Sequence, residues 1–409
     1  MQWIFSQIFI FLFAKLSGGY IIEVSTFIQK ILSGGYSMRK DIRLGMLPDP
    51  FIFRNGERVR NTEDWRIRRQ EILEDTIGLE FDGMPPAPEV FRVEPLDLHG
   101  RGSTCSYRIH CGRKDHPFTL CFMAYLPKKE GRMPVVLTGD AVYPKNCNDR
   151  VIAEANRRGF VVVKFNRTEL APDFADPDRT CGINALWPEL KFSAISAWAW
   201  GYHRVIDALM TLDYVDPDHI AITGHSRGGK TVLLAGATDE RVRYTNPNGS
   251  GTHGCGAYRF FQQEEEGVYG DSHSETLEFM FHHISYWMGQ GLRKYIGHEE
   301  TLPHDSHFIK ALIAPRCYLE TNGYGDIWAN PRGSYLSWQA AREVWKLYGA
   351  ETKTAVWYRE GGHGHGWQDF NALFDFMEAD LNGTPLPEAI TRLPYTDMEP
   401  LHDYPFPGK

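Results

Sequence analysis

Cysteine is scarce: seven residues in 409, an odd number with no CxxC spacing. That pattern supports neither a disulfide framework nor a cysteine zinc site. A basic surplus is also missing. Lys plus Arg total 44 against 52 Asp plus Glu, a formal net charge of −8, so nothing draws the chain to a nucleic-acid backbone. Long apolar runs are nearly absent. The run at 3–13 (WIFSQIFIFLF) is too short to cross a bilayer; no Lys or Arg precedes it and no A-x-A-like cleavage site follows. Stable membrane insertion is not expected. Residues 1–37 read as an extension of uncertain status, with the folded protein beginning near Met38. The cytoplasm is the favoured setting, with secretion or membrane anchoring as the alternative if 3–13 acts as a signal. The tetrapeptide SGGY at 17–20 and 33–36 is too brief to indicate a structural repeat.

What is present is a soluble balance, 42% hydrophobic and 23% charged, on a chain long enough to bury a large core. The stretch 64–76 (DWRIRRQEILEDT) carries a helical pattern that the proline cluster at 85–88 stops. Apolar or alternating runs at 104–109, 118–126, 134–139 and 160–166 read as strands, the last two buried on both faces. A helix begins around Phe192, and HIAITG at 219–224 forms another buried strand. Strands at 314–322 and 354–360 then alternate with helical patterns at 334–348 and 368–382. This alternation predicts an α/β fold: a mostly parallel sheet with helices on its faces. Residues 255–308 break the rhythm and read as an insertion over the C-terminal edge of the sheet, where α/β ligands bind. The whole of 38–409 is expected to form one domain.

Between that buried strand and the next helix stands Gly224-His225-Ser226-Arg227-Gly228, a G-x-S-x-G in strand–turn–helix context. The glycines fit a cramped turn that lifts a serine above the sheet edge. A serine hydroxyl is a weak nucleophile and needs a base steadied by an acid. In this chain order the acid follows a later strand and the histidine comes last. Asp326 stands in the loop after strand 314–322; His363 and His365 stand in the Gly-rich loop after strand 354–360. Both histidines compete for the role of base. The oxyanion is expected to meet the backbone N–H of Arg227 and a second donor between Asp140 and Tyr143, with Ala141 the central choice. Lys230, one turn along the helix, is placed to reach a substrate hydroxyl or carboxylate. No ligand spacing for a metal recurs among the histidines at 253, 273, 282, 283, 298, 304 and 307, so neither a metal nor an organic cofactor is called for.

The segments GHSRGGKTV (224–232), AWAWGYHRVIDAL (197–209), AGATDERV (235–242), LPHDSHFIKALIAPR (302–316) and GGHGHG (361–366) together resemble carbohydrate esterase family 15, the glucuronoyl methylesterases within the α/β-hydrolase superfamily. The resemblance implies Ser226 as nucleophile, His365 as base with His363 as the alternative, and Lys230 and Trp328 as sugar contacts. Three departures stand out. His225 and Gly366 occupy positions where the family pairs two cysteines, and Gly249 occupies the place of the family's usual catalytic glutamate. Asp326 must then supply the acid. The expected function is serine esterase chemistry on a carbohydrate ester, either a glucuronoyl ester or an acetylated plant glycan as in acetyl xylan esterases. Two alternatives are a peptidase of the prolyl-oligopeptidase type, which lacks room for its propeller here, and a non-catalytic glycan-binding relative. No oligomeric state is dictated.

Overall fold

The computed structural model describes residues 40–96, 103–263 and 273–407. The apolar run at 3–13 and the two SGGY segments lie outside them. Eleven strands are present among the described residues: β1 (Lys40–Arg43), β2 (Val90–Pro95), β3 (Thr104–Gly112), β4 (Pro117–Tyr125), β5 (Met133–Thr138), β6 (Val161–Phe165), β7 (Val215–His225), β8 (Tyr244–Asn248), β9 (Phe260–Gln263), β10 (Cys317–Gly323) and β11 (Thr354–Arg359). Nine of them form one sheet in the order β11-β10-β8-β7-β5-β6-β4-β3-β2. Pairing is parallel from β6 to β11 and antiparallel from β2 through β4 to β6.

The burial pattern follows the sequence pattern. In β6 only Lys164 is not buried, because helices cover both faces. Along β4, Leu120, Phe122 and Ala124 point inward while Cys121 and Met123 are exposed, so one face of this antiparallel end is solvated. The long helices are α1 (Thr62–Phe81), α2 (Asp149–Arg157), α3 (Ala194–Leu209), α4 (Arg227–Thr238), α7 (Pro331–Leu347) and α8 (Trp367–Asn382), with shorter α5 (Leu277–His283), α6 (Ser306–Ala311) and α9 (Glu388–Thr391). Asn61, Asn148 and Ser193 cap α1, α2 and α3 by accepting first-turn N–H groups. Buried Trp65, Trp198, Trp200 and Tyr202 fill the core between α1, α3 and the sheet. None of the helices described is long and apolar enough to cross a membrane.

Several elements escape the sequence reading, β2 at the edge of the sheet among them, and two lie within its parallel part. The segment β8 (YTNPN) carries two asparagines and a proline yet is buried at every position. Its amides are satisfied inside the sheet: Thr223 donates to Asn246, whose NH2 donates to Leu319 O at 2.7 Å. The other is α2, short and lying between β5 and β6. The stretch 255–308 contains β9, α5, α6 and several 3-10 turns, and β9 pairs with β1 as a separate two-stranded ribbon. Four strand ends meet along one edge: His225 pairs with Asn248, Asn248 with Thr321, and Gly323 with Arg359. The turns leaving that edge carry Ser226, Gly249, Asp326, His363 and His365.

Candidate active site

Ser226 follows the end of β7 and precedes α4, with φ 56° and ψ −119°. A non-glycine residue there is strained, and the strain turns its side chain away from the strand. The flanking glycines are required by contact. A Cβ on Gly224 would lie 2.5 Å from Gly228 O, and one on Gly228 would lie 2.5 Å from Asp140 Oδ1. The turn is pinned from beneath. Ser226 N–H donates to Asn248 O at 2.9 Å, and His225 N–H donates to Asp140 Oδ2 at 2.8 Å. Asp140 itself is buried and paired with fully buried Arg167.

Asp326 is 1% exposed. Its Oδ1 accepts the Ala329 N–H, and its Oδ2 lies 2.9 Å from Nδ1 of His363. The sequence reading gave this partnership to His365, and here the structure differs. His365 stacks on Phe370 of α8 at 4.3 Å, and neither of its ring nitrogens has a hydrogen-bond partner. Burial, followed by the nearby Arg359 charge, pushes its pKa down to about 3. The reason for the exchange is local. His363 stays 31% exposed beside Asp326, while His365 is buried on the apolar seat that Phe370 offers. His225 lies beside both, its ring 4.4 Å from that of His363 and 5.9 Å from that of His365. Burial, then its two imidazole neighbours, holds His225 well below the usual histidine range.

Gly249 leaves the room that the Asp326 carboxylate occupies. Its φ is +49°, and a Cβ there would lie 3.0 Å from Asp326 Oδ2 and 3.6 Å from His363 Nδ1. The volume that a side chain at 249 would fill is taken up by the Asp326 carboxylate.

On the opposite side of Ser226, the N–H of Arg227 opens α4, where first-turn donors have no intrahelical partner. The Arg227 side chain is held by Asp173 Oδ2 at 2.7 Å and lies 4.6 Å over the Trp287 ring. Asp173 is fixed in turn by Tyr286 and Trp287, whose Nε1 donates to its Oδ1 at 3.0 Å. The expectation for Ala141 needs correction: its N–H donates to Phe165 O at 3.1 Å. Asp140 and Asn166 form a bridge that uses this donor in the fold.

Lys230 is 2% exposed, and its ammonium donates to Ser250 O, Thr252 O and Glu275 Oε2. Three acceptors occupy its three donors, so the sequence expectation of a direct hydroxyl contact does not match the geometry. Desolvation lowers the Lys230 pKa, while the Glu275 carboxylate acts to raise it. Glu275 is the residue that this cation secures, and its N–H donates to Trp328 O at 3.0 Å, joining the two side by side. Half-buried Trp328 packs edge-on against Phe279 at 4.7 Å. Sequence reasoning missed Glu275, Asp173 and Trp287. Only an aromatic pair at 286–287 marked them: Glu275 is one of several acids in its stretch, and Asp173 is one of three aspartates at 173, 176 and 178. Among the described residues no group of three His, Cys, Asp or Glu side chains converges as metal ligands do.

A family profile described as glucuronyl esterase of fungi matches residues 110–349, more than half of the chain. A 4-O-methyl-glucuronoyl methylesterase from Schizophyllum commune is 28% identical over 325 residues, covering 78% of this chain and 77% of that protein. A second, from Wolfiporia cocos, is 29% identical over 307 residues, covering 74% and 72%. Among solved structures, a carbohydrate esterase family 15 glucuronoyl esterase from Caldicellulosiruptor kristjansonii superposes with a TM-score of 0.77 at 27% identity, covering 88% of this chain and 96% of its own. The mostly parallel sheet, the serine elbow and these likenesses agree, and the chain belongs to the glucuronyl esterase family.

Proposed function

We propose that Ser226, His363 and Asp326 form a triad that hydrolyses a carbohydrate ester, with an alcohol ester of glucuronic acid as the preferred substrate. The observation that carries this reading is the 2.9 Å contact between His363 Nδ1 and Asp326 Oδ2, in a loop beside a strained Ser226. With Nδ1 facing Asp326, Nε2 is the nitrogen assigned to take the serine proton. Ser226 Oγ attacks the ester carbonyl, and the tetrahedral oxyanion is met by the Arg227 N–H and the tethered guanidinium charge. His363 returns the proton to the departing alcohol. Water then repeats the sequence on the acyl-enzyme, releasing the acid and free Ser226. The names of the fungal relatives favour the uronoyl ester over an acetylated glycan. The Glu275–Trp328 wall, secured by Lys230, supports a sugar on the acyl side. No cofactor enters these steps.

The test compares methyl glucuronate and acetyl ester hydrolysis, alongside labelling by a fluorophosphonate. The expected result is uronoyl preference and labelling that Ser226→Ala abolishes. Labelling that survives Ser226→Ala would refute the assignment of the nucleophile. Absence of both labelling and turnover would favour the glycan-binding alternative. The absence of cysteine at 225 and 366 supports a reducing, cytoplasmic setting, which cell fractionation tests.

A further inference from the structure

We infer that Arg359 is a positioning residue for the catalytic imidazole, the last member of a polar strut tying the nucleophile elbow to the histidine loop. The inference rests on the triad reading above. The strut starts at His225, immediately before Ser226, whose Nδ1 lies 2.6 Å from Asn248 Oδ1. Asn248 is fully buried, and its NH2 donates to Thr321 Oγ1 at 2.9 Å and to Asp369 Oδ1 at 3.0 Å. A carboxylate only accepts, so this bond fixes the amide orientation and makes His225 Nδ1 the donor. Asp369, also fully buried, accepts from Arg359 Nε at 3.0 Å and from the Gly366 N–H at 2.8 Å. Arg359 Nη2 then donates to the carbonyls of Gly362 and Gly364, the two residues that flank His363.

The geometry makes the purpose of the guanidinium specific. The loop is built of glycines at 361, 362, 364 and 366 and has little conformational preference of its own. One planar group grips the peptide on both sides of the base while its Nε holds the carboxylate that reaches back to the elbow. Lysine, a single point donor, cannot reproduce this fork. The chain of bonds runs across β7, β8, α8 and β11, so the distance from Ser226 to His363 depends on four elements at once.

The test measures kcat, KM, fluorophosphonate labelling rate and melting temperature for Arg359→Lys, Arg359→Ala and His225→Phe. Arg359→Lys and Arg359→Ala are expected to lose about a hundredfold in kcat and in labelling rate, the effect of an imidazole misplaced by about an ångström. KM is expected to stay within about twofold, because the sugar wall is untouched. Added methylguanidinium is expected to restore part of the Arg359→Ala rate without changing the melting temperature. His225→Phe keeps the ring volume but removes the donor to Asn248, and is expected to lower kcat by about tenfold. It carries the test if the Arg359 variants do not fold. Wild-type kcat in either set overturns the strut, as does a kcat loss matched by lost stability and not rescued by methylguanidinium. Failure of the triad reading is distinguishable, since it leaves labelling intact in Ser226→Ala.

Discussion

Asp326 accepts one bond from a backbone N–H and faces His363 with its other oxygen, so Asp326→Asn changes charge and tautomer preference without changing shape. That substitution is expected to reduce kcat by about 10³- to 10⁴-fold with the fold intact, the loss seen when a triad acid becomes an amide; steady-state kinetics and a melting curve check it. The two histidines separate in the same assay. His363→Gln is expected to lose activity on the scale of Ser226→Ala, whereas His365→Phe, which preserves the stack on Phe370, is expected to keep it within about tenfold. The reverse result would return the base to position 365. The elbow at Ser226 and the placing of Asp326 against the histidine loop were legible because each is marked locally, one by glycines that admit no side chain and the other by the turn after a buried strand. Which histidine faces outward was not, because His363 and His365 share the same glycine-rich surroundings. The distinction is made by Phe370 and Arg359, partners from a helix and a strand end. Likewise, the donor at Ala141 was assigned from its loop, but its N–H is consumed by a bridge to β6 that only the sheet order reveals.

The turn from β7 into α4 works as a unit, and its tolerance can be stated from contacts. Gly228→Ala would drive a methyl to 2.5 Å from the Asp140 carboxylate, which is itself held by Arg167 and the His225 N–H. Nothing there is a flexible side-chain end, so the element must shift. The expected cost is about 1–3 kcal/mol of stability, the range for overpacking a close-packed interior, with loss of fluorophosphonate labelling; unchanged labelling would mean that the elbow accommodates the methyl. At the start of α4, Asp173→Asn removes the charge that anchors Arg227 but leaves the Trp287 stack. A reduction of kcat of about tenfold is expected, read against an unchanged KM. At this scale most of the α/β pattern was visible, since buried strands of branched residues and amphipathic helices announce themselves by period. The strand β8 was hidden by side-chain chemistry: its asparagines are polar in sequence and become internal only when Thr223, Leu319, Thr321 and Asp369 answer their amides.

Across the molecule, several histidines are folded in their neutral form. Burial is the main cause that brings His253 down to about 4 and His365 to about 3, and it also holds His307 well below the ordinary range. In the unfolded chain all three titrate near about 6.5. Below that pH the unfolded state binds more protons than the native one, so stability is intact above it and falls progressively as pH drops toward 4 and then 3. Urea midpoints are therefore expected to decline steadily from pH 7 to 4.5, and His365→Phe to flatten that decline. An unchanged slope in His365→Phe would show that its ring is not neutral in the native protein. The left-handed backbone at Ser226 has a consequence of its own. Every packed contact that holds this residue in place opposes a local preference to relax, so Ser226→Gly is expected to give an inert protein that melts higher than the parent, by the equivalent of about 1 kcal/mol or more. The strain at that turn is a debt carried by the rest of the fold.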